Sequence, residues 1–307
     1  MYLDQRTKKY LKIFGLIAFV FILVGCTANL DSETGELIAE RAINESTKWS
    51  LDAGFFDFIL IIPIAKGILF ASNYLGIVGG VVAMTILINI IILPIMVKST
   101  VSSQKLQMLQ PEIEKIQLKY RGRTDEASQL RMNQEMTKVY EKNGVSMFGS
   151  LWSFITLPIM LAMWQAIQRL EPIYSTVFFG LNLGKYPLKM TMAGSPQYLI
   201  VVVIVGITQL FAVQITQILM KRNPKYKKSS TTDQTQMMNY FMVILIVWFS
   251  LQMPTAMSLY WITTNIITVI RTTYIQIFHI EKEYSANGNR KVDNSKGKNK
   301  KKKGSKK

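Results

Sequence analysis

The chain has 307 residues, 49% of them apolar, and carries a formal charge of +17. A single cysteine, Cys26, and a single histidine, His279, exclude an internal disulfide framework and a cysteine-rich metal centre, and leave little for acid–base chemistry. The apolar residues fall in long unbroken runs and the positive charge lies between them and at the two ends. This is the pattern of a membrane protein with a basic cytoplasmic side, and it also permits contact with RNA or anionic lipid.

At the N-terminus, Arg6, Lys8, Lys9 and Lys12 precede an apolar stretch over 13–24. A basic region followed by a short apolar one is the layout of a secretory signal. The stretch closes on Leu23-Val24-Gly25-Cys26, which looks like a bacterial lipobox. On that reading residues 1–25 are a lipoprotein signal peptide, Cys26 carries the lipid, and 26–54 form an extracytoplasmic segment. The acyl chains would add about 0.8 kcal/mol of membrane attachment per buried CH₂. The alternative is an uncleaved anchor helix with an incidental cysteine.

Residues 55–97 read as an amphipathic lead-in helix, interrupted by Pro63, Lys66 and Gly67, and then a first span over 75–97. Over 98–146, Leu106, Leu109, Ile113, Ile116 and Tyr120 recur at three- and four-residue spacing, a helical seam. Arg121-Gly122-Arg123 breaks it, Thr124 is the expected N-cap of a second arm, and Asn143-Gly144 ends that arm. The segment is therefore expected to be a cytoplasmic helical hairpin. Four more spans follow over 147–170, 197–220, 237–252 and 256–277, together the core 147–278. A tight reversal at Pro254 makes the last two a helical hairpin. The tail 279–307 is basic and too poor in apolar residues to fold alone. Lys and Arg crowd 98–146, 221–235 and the tail, whereas the opposite side holds Lys185 and Lys189 with Arg41 and Lys48. Five spans then put the lipidated end outside and the C-terminus in the cytoplasm.

Several polar side chains fall at membrane depth. Asn89 precedes Lys98 by nine residues, roughly 13 Å along a helix. Asn265 has a similar depth and shares a helix face with Trp261, four residues earlier. Thr264 and Thr268 run alongside; Gln165 and Gln168 lie in the second span, and Gln209, Thr216 and Gln217 in the third. Such residues either hydrogen-bond between helices, at about 0.6 kcal/mol each, or line a wet notch. Met160, Met163, Met237, Met238, Met242, Met253 and Met257 either fill packing gaps or form a pliable apolar slide.

Three stretches resemble one known family: 87–94 followed by Leu109-Gln110-Pro111-Glu112-Ile113; 157–167, with Trp164-Gln165-Ala166; and 253–265, from Met253-Pro254 to Tyr260-Trp261 and Asn265. Together, over about 55–280, they resemble the YidC/Oxa membrane protein insertases, in the lipoprotein-type form typical of Gram-positive cells. The resemblance implies an all-α polytopic membrane protein, with five transmembrane helices around a hydrophilic groove and a cytoplasmic helical hairpin. It implies insertion and folding of nascent membrane proteins, alone or with the Sec translocon, and no cofactor, nucleotide or metal. Asn89, Gln165, Trp261, Thr264 and Asn265 are the groove residues it points to. One departure matters: the family usually has arginine where this chain has Asn89. Arg169 and Arg271 lie near span ends, so a weaker positive field is expected at groove depth. The basic tail, with Lys300 to Lys303, suits either ribosomal RNA or anionic lipid. The rival readings are a membrane transporter and an assembly chaperone that does not insert. The spans lack the Asp or Glu an ion-coupled carrier usually buries. Ser150 and Ser153 have no nearby histidine, so no enzyme is expected.

Overall fold

The computed structural model describes residues 37–145, 156–221 and 230–281. A π-helical turn, Asp57–Ile61, leads into α1, Ile62–Lys119. Gly76 interrupts α1 at φ +68° and ψ 169°, a conformation that glycine reaches without the penalty a Cβ brings. The chain doubles back there, and a Cβ on Gly80 would meet the Ile68 carbonyl at 2.6 Å. The lead-in segment thereby presses Ile61, Ile64, Ala65 and Ile68 into the main core and leaves Phe70 and Tyr74 exposed. Past residue 97 the structure departs from the sequence reading, because α1 runs through Lys98 to Lys119 without a break. Composition changes at Lys98, but nothing there stops the backbone ladder. Pro94 and Pro111 lie inside the helix, and each removes one N–H donor without ending it.

Helix α2, Glu126–Lys142, folds back on α1. Its N-cap is Asp125 rather than Thr124, with the Asp125 carboxylate accepting the Ser128 amide at 2.8 Å. Glu135 fastens the two arms, accepting from Lys119 Nζ at 2.7 Å and from the Tyr120 hydroxyl at 2.9 Å.

Next come α3, Thr156–Arg169, and the short α4, Glu171–Ser175. A two-strand hairpin follows, β1 Val177–Phe178 antiparallel to β2 Leu181–Asn182, with Val177 opposite Asn182. After it lie α5, Pro187–Met192; α6, Leu199–Lys221; α7, Ser230–Gln252; and α8, Thr255–Ile275, which continues as a π-helical turn, Gln276–Glu281. The reversal between α7 and α8 is tight, yet the two helices hardly pack on each other. Instead α8 lies against α6 and α1, and α7 lies against α6. The loop after β2 caps α8. Thr255 donates its amide (2.9 Å) and hydroxyl (2.8 Å) to the Lys185 carbonyl, and Ala256 N–H donates to Leu183 O at 2.9 Å. Donors at a helix start that would otherwise lack partners are thus satisfied.

The core gathers Ile61, Ile68, Val81, Met163, Ile167 and Met257 at one end. There the N-terminal segment is laid across the α3–α4 junction: Ile43, fully buried, donates its amide to Arg169 O at 2.7 Å. Arg169 in turn pairs with Asp57 at 2.7 Å and donates to Arg41 O at 2.8 Å. Among the described residues two helical stretches, Asp57–Lys119 and Pro196–Leu219, are long and apolar enough to cross a membrane. The outer faces of α6 and α7 expose Ile200, Ile207, Phe211, Phe241, Ile244 and Trp248. A continuous apolar surface of this kind is unfavourable in water and neutral in hydrocarbon.

Candidate functional site: a polar cavity among apolar helices

Beyond the apolar core, toward the α1–α2 hairpin, lies a cavity of about 440 Å³. Its position follows from helix order. Along α8 the core residues Ala256 and Met257 come first and the cavity residues Thr264 to Arg271 afterwards. Along α3, which runs the other way, the cavity residues Thr156, Ile159 and Met160 precede the core residues Met163 and Ile167. Side chains from α1, α3, α6, α7 and α8 line it. On α8 the lining residues Trp261, Thr264, Asn265, Thr268 and Arg271 have the i, i+3, i+4, i+7 spacing of a single helix face.

The polar groups are partly committed to local bonds. Asn89 Nδ2 donates to the Thr85 carbonyl of its own helix at 2.9 Å, which leaves its amide oxygen to the cavity. Asn265 Nδ2 donates to the Thr208 hydroxyl of α6 at 3.1 Å. Gln217 Oε1 accepts from Gln236 Nε2 at 3.3 Å. Arg271 is half-buried, with Nη2 3.4 Å from Thr268 Oγ1 and Nε without a partner. Among the described residues Arg271 has no ion pair with a carboxylate, and it takes no part in the Lys119–Glu135 or Arg169–Asp57 pairs.

Residues 70–283 match the model of a family described as 60Kd inner membrane protein. This chain belongs to that family. It is similar to membrane protein insertase YidC 2 of Bacillus anthracis, 30% identical over 268 residues, covering 86% of this chain and 94% of the relative. It is also 31% identical over 272 residues to membrane protein insertase YidC of Alkalihalophilus pseudofirmus, covering 87% and 94%. Membrane protein insertase MisCA of Bacillus subtilis is 29% identical over 225 residues, covering 72% and 79%. As a member of the family, the chain is a membrane protein, a setting in which the exposed apolar faces of α6 and α7 carry no penalty.

In this 60Kd-family chain, the cavity brings together Asn89, Trp261, Thr264 and Asn265, with Gln209, Thr216 and Gln217 from α6. It does not take in Gln165, which is buried on α3 away from the lining. The cavity face of α3 is set by Thr156, Ile159 and Met160, and a residue five places beyond Met160 points about 140° away round the helix. Arg271 is the residue that depth along the span obscured. It lies six residues beyond Asn265, roughly 9 Å farther along α8, yet it continues the Thr264–Thr268 strip at i+3. That spacing was the available signal. The methionines divide: Met163 and Met257 are packed in the core, Met160 lines the cavity, and Met237, Met238 and Met242 are exposed on α7. Cys26, the first part of the 147–170 span and the tail from 282 onward lie outside the described residues.

Proposed function

We propose that this chain is a multi-pass membrane protein insertase, and that the cavity is the chamber through which a client's polar segment begins to cross. The observation that carries this reading is a polar-lined cavity set among helices whose outer faces are apolar. A polar segment entering hydrocarbon loses water from backbone and side chains, at several kcal/mol for each unsatisfied group. Amides, hydroxyls and a guanidinium partway across replace some of that water and shorten the dry distance. The client's apolar helix then supplies the drive, at about 25 cal/mol per Å² of apolar surface removed from water.

On this reading five spans surround the groove, Cys26 anchors the N-terminus outside, and the hairpin and basic tail face the cytoplasm. Asn89, Thr264 and Asn265 offer hydrogen bonds to a passing segment, Trp261 a rigid wall, and Arg271 a positive charge nearer the hairpin-side entrance. The lining holds no carboxylate among the described residues, which favours an insertase over an ion-coupled carrier. Reconstitution tests it. The purified chain alone in liposomes should move a protease-sensitive client segment into the protected lumen. If clients fold better but no segment becomes protected, the chain is a non-inserting assembly chaperone. Ribosome contact through the tail is a separate part of the proposal. Ribosomes should carry the chain into a pellet, and deletion of 287–307 should abolish this in a salt-dependent manner.

A further inference from the structure

A second cavity, of about 330 Å³, lies at the opposite end of the molecule from the hairpin. It is enclosed by the β1–β2 hairpin and the first turns of α6 and α8, with walls that include Phe178, Leu183, Ile204 and Leu259. Its wall contains one anomaly. Ser258 is 1% exposed and its hydroxyl has no hydrogen-bond partner, whereas the neighbouring Thr255 hydroxyl is satisfied by the Lys185 carbonyl. A helical serine commonly gives its O–H to the carbonyl one turn back; Ser258 does not, and retains a buried donor in an apolar wall. Lys185 is exposed, and its carbonyl holds Thr255, a residue of the cavity wall.

Size and chemistry select the occupant. A helix is about 10–12 Å across with its side chains, and it would have to displace the β1–β2 hairpin that closes over this space. An extended peptide would bring backbone N–H and C=O groups that these walls cannot satisfy. A hydrocarbon chain has the width and polarity the walls require. We infer that this cavity binds one acyl chain of a bilayer phospholipid, with Ser258 donating to the ester carbonyl and Lys185 facing the phosphate. The inference depends only on the chain being a membrane protein and not on the insertase reading.

The test uses the full chain in nanodiscs containing phosphatidylglycerol with a photoactivatable diazirine on one acyl chain. Adducts should concentrate on residues 197–204 and 255–262, well above those on the exposed apolar surface of α7. Leu259→Trp, which fills the cavity, should cut the first set about five-fold and spare the second, and Leu259→Met should retain both. Ser258→Ala should lower labelling by the ester lipid by about five-fold, the weight of one hydrogen bond, and leave labelling by an ether-linked analogue unchanged. Labelling of the cavity no stronger than that of α7, or indifferent to Leu259→Trp, would overturn the inference. So would a rise in cavity labelling in Cys26→Ser, since that would mean the chain's own anchor fills the space.

Discussion

Arg271 and Asn89 divide between them what the cavity can offer an acidic client. Asn89 supplies an amide already tied on one side to Thr85, and Arg271 supplies the charge. A charge-assisted hydrogen bond outweighs a neutral one by roughly 1–2 kcal/mol. Arg271→Gln should therefore slow insertion of a client with an acidic polar segment by about ten-fold, read as protease-protected product, and spare a client with a neutral segment. Asn89→Arg should raise insertion of the acidic client by placing a cation deeper. No change for either variant would remove both side chains from the client's path. The polar face of α8 was legible in the sequence through Trp261, Thr264 and Asn265, because periodicity alone fixes a helix face. Depth and helix face separate for two other residues. Gln165 lies at a suitable depth on α3 but outside the cavity lining, whereas Arg271 lies farther along α8 and lines the cavity.

At the scale of elements, the sequence marks where polarity changes more faithfully than where helices end. Lys98 signals a change of surroundings, and the backbone of α1 continues through it. The Gly76 break lies beside the start of the span over 75–97, and what hydropathy does not register there is the backbone angle that turns the chain back on itself. Gly76→Ala should destabilise the fold by about 1–3 kcal/mol, the cost of placing a Cβ at φ +68° and ψ 169°, a region essentially reserved for glycine, and lower the melting temperature in detergent. The α1–α2 hairpin carries its own pH dependence. Hydrogen bonds from Lys119 and Tyr120 hold the Glu135 carboxyl below its ordinary value of 4.5. A carboxyl lowered on folding adds stability above its unfolded pKa and loses it as pH falls. Hydrogen exchange in α2, corrected for intrinsic rate, should therefore accelerate as pH drops below about 4.5. Glu135→Gln should show the faster exchange at neutral pH and no further acid response until the Asp125 cap is protonated, below its ordinary value of 3.8; a variant that exchanged like the parent would exclude this contact as the fastening.

The whole molecule combines three surfaces that separate signals in the sequence describe. Apolar faces on α6 and α7 are exposed, a packed core pinned by Ile43 and the Arg169–Asp57 pair closes one end, and a polar cavity lies toward the other. The charge pattern and the apolar runs made the first readable. The closure depends on the segment around Ile43, where the apolar residues Leu37, Ile38, Ala39, Ala42 and Ile43 form a run too short to carry a periodic signal. The central claim is that the cavity is wet and receives the client. The most direct measurement places single cysteines at Asn265, Thr268 and Ile244 in a Cys26→Ser background and traps a ribosome-stalled client bearing a cysteine in its polar segment. Cross-links to the first two positions, with none to Ile244 on the exposed apolar side of α7, are the predicted result. Cross-links to Ile244 alone, or equal yields at all three, would contradict the account.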